Sequence, residues 1–151
     1  MGNVIAIIGA AIAVIMTGIG SSVGMAWVQQ AAAGVVSEEP EKYGKTLILQ
    51  LIPSSNALYG FVVGFLVVMQ VLFNGMEFTV IQGLTVAGFC LPIAIVGLVA
   101  CLSQAKVCVA GIHMVGKRVE LSGRALTMAV FIELFALFAF IVSALGVLQI
   151  A

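Results

Sequence analysis

The chain has 151 residues, of which 63% are hydrophobic and only 8% are charged, and its mean hydropathy is +1.28. Soluble domains carry about 25% charged residues, so this composition excludes a water-soluble globule. The formal net charge is zero, which argues against a nucleic-acid partner and against a basic membrane-surface role. The sequence therefore predicts an integral membrane protein.

Four apolar runs are long enough to span a bilayer, which takes about 20 residues in each helix. They cover residues 3–33, 46–73, 79–115 and 124–150. The first run lacks the basic segment that precedes a cleaved signal peptide, so we expect it to be retained as a spanning helix. We predict an all-α membrane protein whose four transmembrane helices form two hairpins, residues 1–74 and 75–151.

The basic side chains indicate how these helices are oriented. All of them lie in or near the two polar loops 37–45 and 116–124: Lys42, Lys45, Lys106, Lys117, Arg118 and Arg124. The 2–3 loop holds only Glu77, and the termini carry no charged side chain. By the positive-inside tendency, we expect both basic loops to be cytoplasmic and both termini to face outward.

The two hairpins resemble each other. The segment ALYGFVVG at 57–64 aligns with ALFAFIVS at 136–143, and AAG at 32–34 aligns with VAG at 109–111. This alignment places Ser54 opposite Glu133, so one intramembrane carboxylate serves the duplicated chain. Helices 1 and 3 are rich in glycine, whereas helices 2 and 4 carry bulky phenylalanines. Because small residues let membrane helices approach closely, we expect a ring with helices 1 and 3 inside.

Glu133 is the main candidate for function, because it lies within the apolar segment FIELFALFAF at 131–140. A charge at the centre of a membrane helix costs about 2.5–3.5 kcal/mol on insertion scales. Such a carboxylate must therefore be protonated, paired, or bound to a cation. We predict that Glu133 is functional rather than structural.

Helix 2 offers polar partners for this carboxylate on one helical face. The positions on that face are Ile52, Ser55, Asn56 and Tyr59. Pro53 cannot donate a backbone hydrogen bond and loosens the turn before it, so a nearby backbone carbonyl becomes a potential ligand.

The depths of the polar positions agree. Asn56 and Glu133 each lie about 16 Å along their helices from the cytoplasmic end, and Gln104 in helix 3 lies about 20 Å from it. One carboxylate surrounded by neutral oxygens suits a hard cation, because softer metals prefer thiolate and imidazole. The same groups could instead hold a protonated Glu133 by hydrogen bonds, and the pattern alone leaves both open.

Other kinds of site find no support. The three cysteines form no CxxC pair, His113 stands alone, and no Ser–His–Asp set is present. We expect no organic cofactor, and we expect that the chain is not an enzyme on its own. A small four-helix cation or drug antiporter and a purely structural proteolipid remain as alternatives.

Three motifs carry a resemblance to a known family. LQLIPSSNALYGF in helix 2, SQAKVCVAGI in helix 3 and the surroundings of Glu133 resemble the proteolipid subunit of V-type and A-type rotary ATPases, above all the bacterial sodium-type K subunit. This resemblance implies that Glu133 carries the ion. It further implies that the Na⁺ ligands come from Ile52, Ser55, Asn56 and Gln104, and that Tyr59 helps to lock the carboxylate.

This sequence departs from the family's pattern at two positions. Ser55 replaces the more usual threonine, and Asn56 stands where a longer glutamine is usual. The second departure leaves H⁺ as the alternative ion.

The resemblance also implies a mechanism. Copies of the chain form a ring in the membrane lipid, and a stator subunit supplies the arginine that displaces the ion. Central-stalk subunits contact the loops 37–45 and 116–124, and other subunits hydrolyse ATP. A site neutralised by Na⁺ or H⁺ can pass through lipid, whereas a bare carboxylate cannot.

Overall fold

The structure, a computed structural model, describes residues 1–150. Across these residues four long helices, each long and apolar enough to cross a membrane, follow one another: α1 (Gly2–Glu38), α2 (Pro40–Phe73), α3 (Val80–Lys117) and α4 (Val119–Ile150). The prediction of an all-α protein with four membrane-spanning helices is confirmed. The helices extend further into the polar loops than the apolar runs indicated. Ala151, the last residue of the predicted second hairpin, lies outside the described residues.

Helix α2 begins with a 3₁₀ turn at Pro40–Lys42 and changes its winding four times along its length. Its α-helical segments, Tyr43–Leu51 and Ser55–Val68, are separated by a 3₁₀ turn at Ile52–Ser54, and it ends in a π-helical turn at Met69–Phe73. The 3₁₀ turn surrounds Pro53, which lacks the N–H that a regular α-helix would need there. The irregular backbone therefore lies next to the polar face of α2.

Helices α1 and α3 pack closely through small residues. A Cβ atom added to Gly9 would lie 2.5 Å from Ala87 Cα, and one added to Gly24 would lie 3.0 Å from Ala105 Cβ. The first separation leaves no room for a Cβ atom at Gly9, and the second would be a tight contact at Gly24. Close backbone approach of this kind is how helices associate in lipid, where no hydrophobic drive holds them together.

Polar contacts fasten the two ends of the bundle. At one end, Asn3 Nδ2 donates to the Met76 carbonyl (3.1 Å) and Asn3 Oδ1 accepts from the Phe78 N–H (2.7 Å). At the other end, Lys42 Nζ donates to Glu39 Oε1 (2.6 Å) and to the Gly116 carbonyl (2.5 Å). The two basic loops thus share one end of the bundle. Which side of the membrane this end faces stays a prediction.

The link between the two hairpins turns at Gly75, whose φ of 65° lies in the left-handed region that favours glycine. The capping box of α3 follows, in which Thr79 and Gln82 satisfy each other's backbone N–H groups. This link separates α2 from α3. The boundary between the units at residues 74 and 75 stays a prediction.

Candidate ion-binding site

The carboxylate of Glu133 is held between helices α2, α3 and α4. Its Oε1 accepts a hydrogen bond from the Tyr59 hydroxyl at 2.7 Å, and its Oε2 accepts one from Gln104 Nε2 at 2.6 Å. The side chain is partly buried. Both carboxylate oxygens are thereby fixed in direction by donors from two other helices, in a region whose surroundings are apolar.

The amide of Gln104 is oriented by three partners. Its Nε2 also donates to the Ala129 carbonyl at 3.2 Å, and its Oε1 accepts from Asn56 Nδ2 at 3.1 Å. Asn56 and Gln104 are both fully buried. Because the two protons on Nε2 are used by Ala129 and Glu133, only the oxygen of the amide is left to face Asn56. A continuous chain of hydrogen bonds therefore runs from Asn56 to Glu133.

The oxygen of the Asn56 amide, Oδ1, is the one side-chain atom of this hydrogen-bonded cluster that is buried without a partner among the described residues. Leaving a buried amide oxygen unpaired costs about 1–3 kcal/mol, so such an oxygen is suited to a partner from outside the chain. A small hard cation, or a water molecule bound to one, is a partner that fits it.

Ser55 and Ile52 form a second, local pair. The Ser55 hydroxyl donates to the Ile52 carbonyl at 2.8 Å across the 3₁₀ turn. Both residues are partly buried, and Ser55 lies directly beside Asn56 in the chain. Of the six predicted site residues, the structure joins Glu133, Tyr59, Gln104 and Asn56 by direct hydrogen bonds, and it keeps Ser55 and Ile52 as a separate pair.

Two neighbours of the cluster were not among the predicted site residues. The ring of Phe140 stacks on Tyr59 with 5.2 Å between the centroids, and the Cys101 thiol donates to the Pro53 carbonyl at 3.1 Å. Phe140 is one of the positions matched between the repeated segments 57–64 and 136–143, so the repeat had already marked this residue. The contact of Cys101 depends on the 3₁₀ turn at Pro53 and had no signal in the sequence.

Comparison with known proteins identifies the family. The family model for the C subunit of ATP synthase matches twice, over residues 8–67 and over residues 87–145. The chain belongs to this family. The double match agrees with the duplicated hairpin, and the family forms the membrane rings of rotary ATPases. The predicted fold class, two duplicated hairpins that assemble into a ring, is confirmed.

Two relatives extend the comparison. The V-type sodium ATPase subunit K of Enterococcus hirae is 40% identical over 148 residues, which cover 98% of this chain and 93% of the relative. The A-type ATP synthase subunit K of Methanocaldococcus jannaschii is 28% identical over 138 residues, which cover 91% of this chain and 59% of that protein. The predicted resemblance to V-type and A-type proteolipid subunits is confirmed. So is the prediction that the chain serves as a subunit of a rotary ATPase and is not an enzyme on its own.

Proposed function

We propose that this ring protein carries Na⁺ across the membrane by reversible binding at Glu133, while other subunits of the complex hydrolyse ATP. The observation that carries the proposal is the hydrogen-bonded cluster around Glu133. It holds a carboxylate within an apolar bundle and surrounds it with the hydroxyl of Tyr59 and the amides of Gln104 and Asn56. A carboxylate in this position can bind a cation, which neutralises its charge, and can then release that cation.

The cycle depends on the charge of one side chain. With Na⁺ bound, the site formed by the Glu133 carboxylate and the cation is electrically neutral, and each copy can face lipid as the ring turns. Without the ion, the exposed carboxylate would have to be desolvated at a cost of several kcal/mol, roughly the penalty of an uncompensated buried ion. Rotation through lipid is therefore confined to loaded sites. In this proposal, an arginine of the stator supplies the countercharge that releases the ion.

Two observations favour Na⁺ as the ion. The relative from Enterococcus hirae is a subunit of a sodium ATPase and matches nearly the whole chain. The candidate donors are oxygens of the kind that hard cations prefer, and Asn56 Oδ1 is buried without a partner in residues 1–150. In the proposed site, Glu133, Ser55, Asn56, Gln104 and the carbonyl of Ile52 supply the ligands. The hydroxyl of Tyr59 fixes the carboxylate.

One observation favours H⁺ as a second candidate. The Ile52 carbonyl already accepts the Ser55 hydroxyl at 2.8 Å, so these two proposed ligands satisfy each other without an ion. A proton on Glu133 needs one acceptor, and the hydroxyl oxygen of Tyr59, 2.7 Å from Oε1, can serve as that acceptor. The mechanical role of the ring is the same with either ion.

The proposed partners follow from the ends of the bundle. We place the end that carries Lys42 and the loops 37–45 and 116–124 in the cytoplasm, where central-stalk subunits would bind it. Both termini then face outward. The bond from Lys42 to the Gly116 carbonyl joins the two loops, so a stalk subunit would meet them as one surface.

Replacing Glu133 with glutamine tests the proposal, because glutamine keeps the shape of the side chain and cannot become charged. In the reconstituted complex, we expect Glu133→Gln to abolish Na⁺ transport and Na⁺-dependent ATPase activity while the ring still assembles. Glu77→Gln, in the loop between the hairpins, is the matched control and should retain transport. Full transport by Glu133→Gln would contradict the proposal, and a failure of the ring to assemble would favour a structural role.

A further inference from the structure

Helix α4 leaves a stripe of aromatic side chains uncovered. Phe131, Phe135 and Phe138 follow one face of the helix at spacings of four and three residues, and 64%, 64% and 59% of their surfaces are exposed. Lipid could cover such a stripe, but the internal repeat identifies a more specific partner. Each of these positions has a counterpart in α2 whose surroundings the structure shows.

The counterparts in α2 lie in the contact between the two hairpins. Continuing the alignment of 57–64 with 136–143 pairs Phe135 with Asn56 and Val142 with Val63. Asn56 and Val63 are fully buried, whereas Phe135 and Val142 are 64% and 51% exposed. The face that α2 buries against the second hairpin is therefore the face that α4 leaves open.

Helix α1 shows the reverse relation to α3. Continuing the alignment of 32–34 with 109–111 pairs Trp27 with Gln104 and Val23 with Ala100. Gln104 and Ala100 are buried, whereas Trp27 and Val23 are each 39% exposed. The first hairpin thus leaves open the face that the second hairpin buries. The open faces of α4 and α1 thus correspond to the faces of α2 and α3 that pack together within the chain.

Apolar grooves lie on both open faces. One, of about 500 Å³, lies between α3 and α4 and is lined by Val96, Val99 and Phe135 among others. The other, of about 440 Å³, lies between α1 and α2 and is lined by Val14 and Phe61 among others. Each groove gives a neighbouring side chain room to enter.

We propose that a second copy of the chain covers these faces, with the α4 stripe of one copy packed against Trp27 and Phe61 of the next. The contact repeats the one between the two hairpins. Asn56 Nδ2 donates to Gln104 Oε1 at 3.1 Å, and the counterparts of these two residues are Phe135 and Trp27. We therefore expect Phe135 to contact Trp27 of the next copy. The rings of Tyr59 and Phe140 stack with 5.2 Å between their centroids, and the counterparts of these residues are Phe138 and Phe61. We therefore expect Phe138 to stack on Phe61 of the next copy.

The two kinds of contact differ in chemistry at the level of the carboxylate. At the contact within the chain, Glu133 accepts bonds from Tyr59 and Gln104. At the contact between copies, its counterpart is Ser54, and aromatic rings replace the polar partners. A ring built in this way alternates one ion site with one dry aromatic junction. This inference rests on the ring assembly in the proposed function.

Paired cysteines test the contact directly. In a chain whose native cysteines are replaced by alanine, Trp27→Cys is combined with Phe135→Cys, and membranes are treated with a short bifunctional thiosulfonate. We expect a ladder of cross-linked oligomers on a denaturing gel. Co-expressed single variants, one with Trp27→Cys and the other with Phe135→Cys, should give dimers and no larger species.

The matched control places cysteines at the counterparts of this pair. Asn56→Cys with Gln104→Cys lies at the contact within one chain, so cross-linking should leave it at the size of a monomer. An intact ring with no cross-link between positions 27 and 135 would overturn this inference and leave the proposed function standing. A chain that remains monomeric in native membranes would contradict both.

A second measurement uses the chain with its own cysteines. Phe138→Ala should lower the temperature at which the ring dissociates in detergent by several degrees, because it removes one ring of the predicted stack. Leu51→Ala is the control, because Leu51 and its counterpart Val130 are both exposed and so face away from either contact. Equal effects of the two substitutions would contradict the proposed contact.

Discussion

The hydroxyl of Tyr59 makes one of the two hydrogen bonds that direct the carboxylate of Glu133. Tyr59→Phe removes this bond of 2.7 Å and retains the ring that stacks on Phe140. A hydrogen bond to a charged group contributes about 1.5–3 kcal/mol, so we expect a loss of Na⁺ affinity of roughly tenfold or more. The measurement is the Na⁺ concentration that half-protects Glu133 from carbodiimide labelling.

Tyr43→Phe is the matched control, because Tyr43 is the other tyrosine of the chain and lies exposed at the polar end of α2. It should leave the half-protecting Na⁺ concentration unchanged. Equal Na⁺ affinity in Tyr59→Phe and the unaltered protein would show that the hydroxyl does not hold the carboxylate for ion binding.

Asn56 acts on Glu133 through the amide of Gln104. Asn56→Leu preserves much of the volume but removes the donor to Gln104 Oε1 and leaves that buried oxygen without a partner. We expect the loss of about 1–3 kcal/mol to appear as weaker Na⁺ protection of Glu133, because Gln104 is no longer held in one orientation and the proposed ligand Asn56 Oδ1 is removed. Asn74→Leu, in the exposed link after α2, should have no effect. Unchanged Na⁺ protection in Asn56→Leu would exclude this role.

At this scale the sequence identified which residues could meet but not how their amides point. The depths of Asn56, Gln104 and Glu133 along their helices follow from a fixed rise per residue, which needs only residue numbers. The direction of the Gln104 amide depends on the Ala129 carbonyl at 3.2 Å, which only the packing of α3 against α4 defines. The pairing of Ser55 with Ile52 was not predicted for a different reason: it is a local bond within α2, and residue spacing does not determine which backbone carbonyl a serine hydroxyl selects.

Among the helices, α2 shows both what sequence reasoning reaches and where it ends. The disturbed turn at Pro53 was expected, because proline lacks the backbone donor, and the structure has a 3₁₀ turn at Ile52–Ser54. The π-helical turn at Met69–Phe73 had no comparable signal. It coincides with a tertiary contact, in which Gln70 Nε2 donates to the Val147 carbonyl at 3.2 Å.

The contact of α1 with α2 depends on Gly60. A Cβ atom at this position would clash with Thr17 Oγ1 and lie 2.8 Å from the Ala13 carbonyl oxygen. We expect Gly60→Ala to destabilise the protein by about 1–3 kcal/mol, as overpacking of a tight contact does. The readout is the temperature at which the purified protein aggregates in detergent.

Gly44→Ala is the control for this substitution, because a Cβ atom at Gly44 meets open space. The two glycines share one helix, so a general effect of alanine on α2 would appear in both variants. If Gly60→Ala aggregates at the temperature of the unaltered protein, the approach of α1 to α2 is looser than the structure indicates.

For the molecule as a whole, duplication followed by divergence explains the asymmetry of the two hairpins. The apolar runs predicted four membrane-spanning helices, and composition predicted an integral membrane protein, because both depend on sums over many residues. The partners of individual positions were not predictable in this way. Trp27 and Gln104 occupy corresponding positions, yet Trp27 is exposed and Gln104 is fully buried. The difference arises because α2 of the first hairpin packs on Gln104 through Asn56.

The most direct test of the whole account is whether Na⁺ protects Glu133 from carbodiimide labelling in intact rings. The reagent modifies the free acid, so a site occupied by Na⁺ should react slowly. We expect millimolar Na⁺ to suppress labelling of the unaltered protein at a fixed pH where the acid reacts, and K⁺ at the same concentration to leave labelling unchanged. Labelling that depends on pH alone and is indifferent to Na⁺ would contradict Na⁺ carriage and favour H⁺.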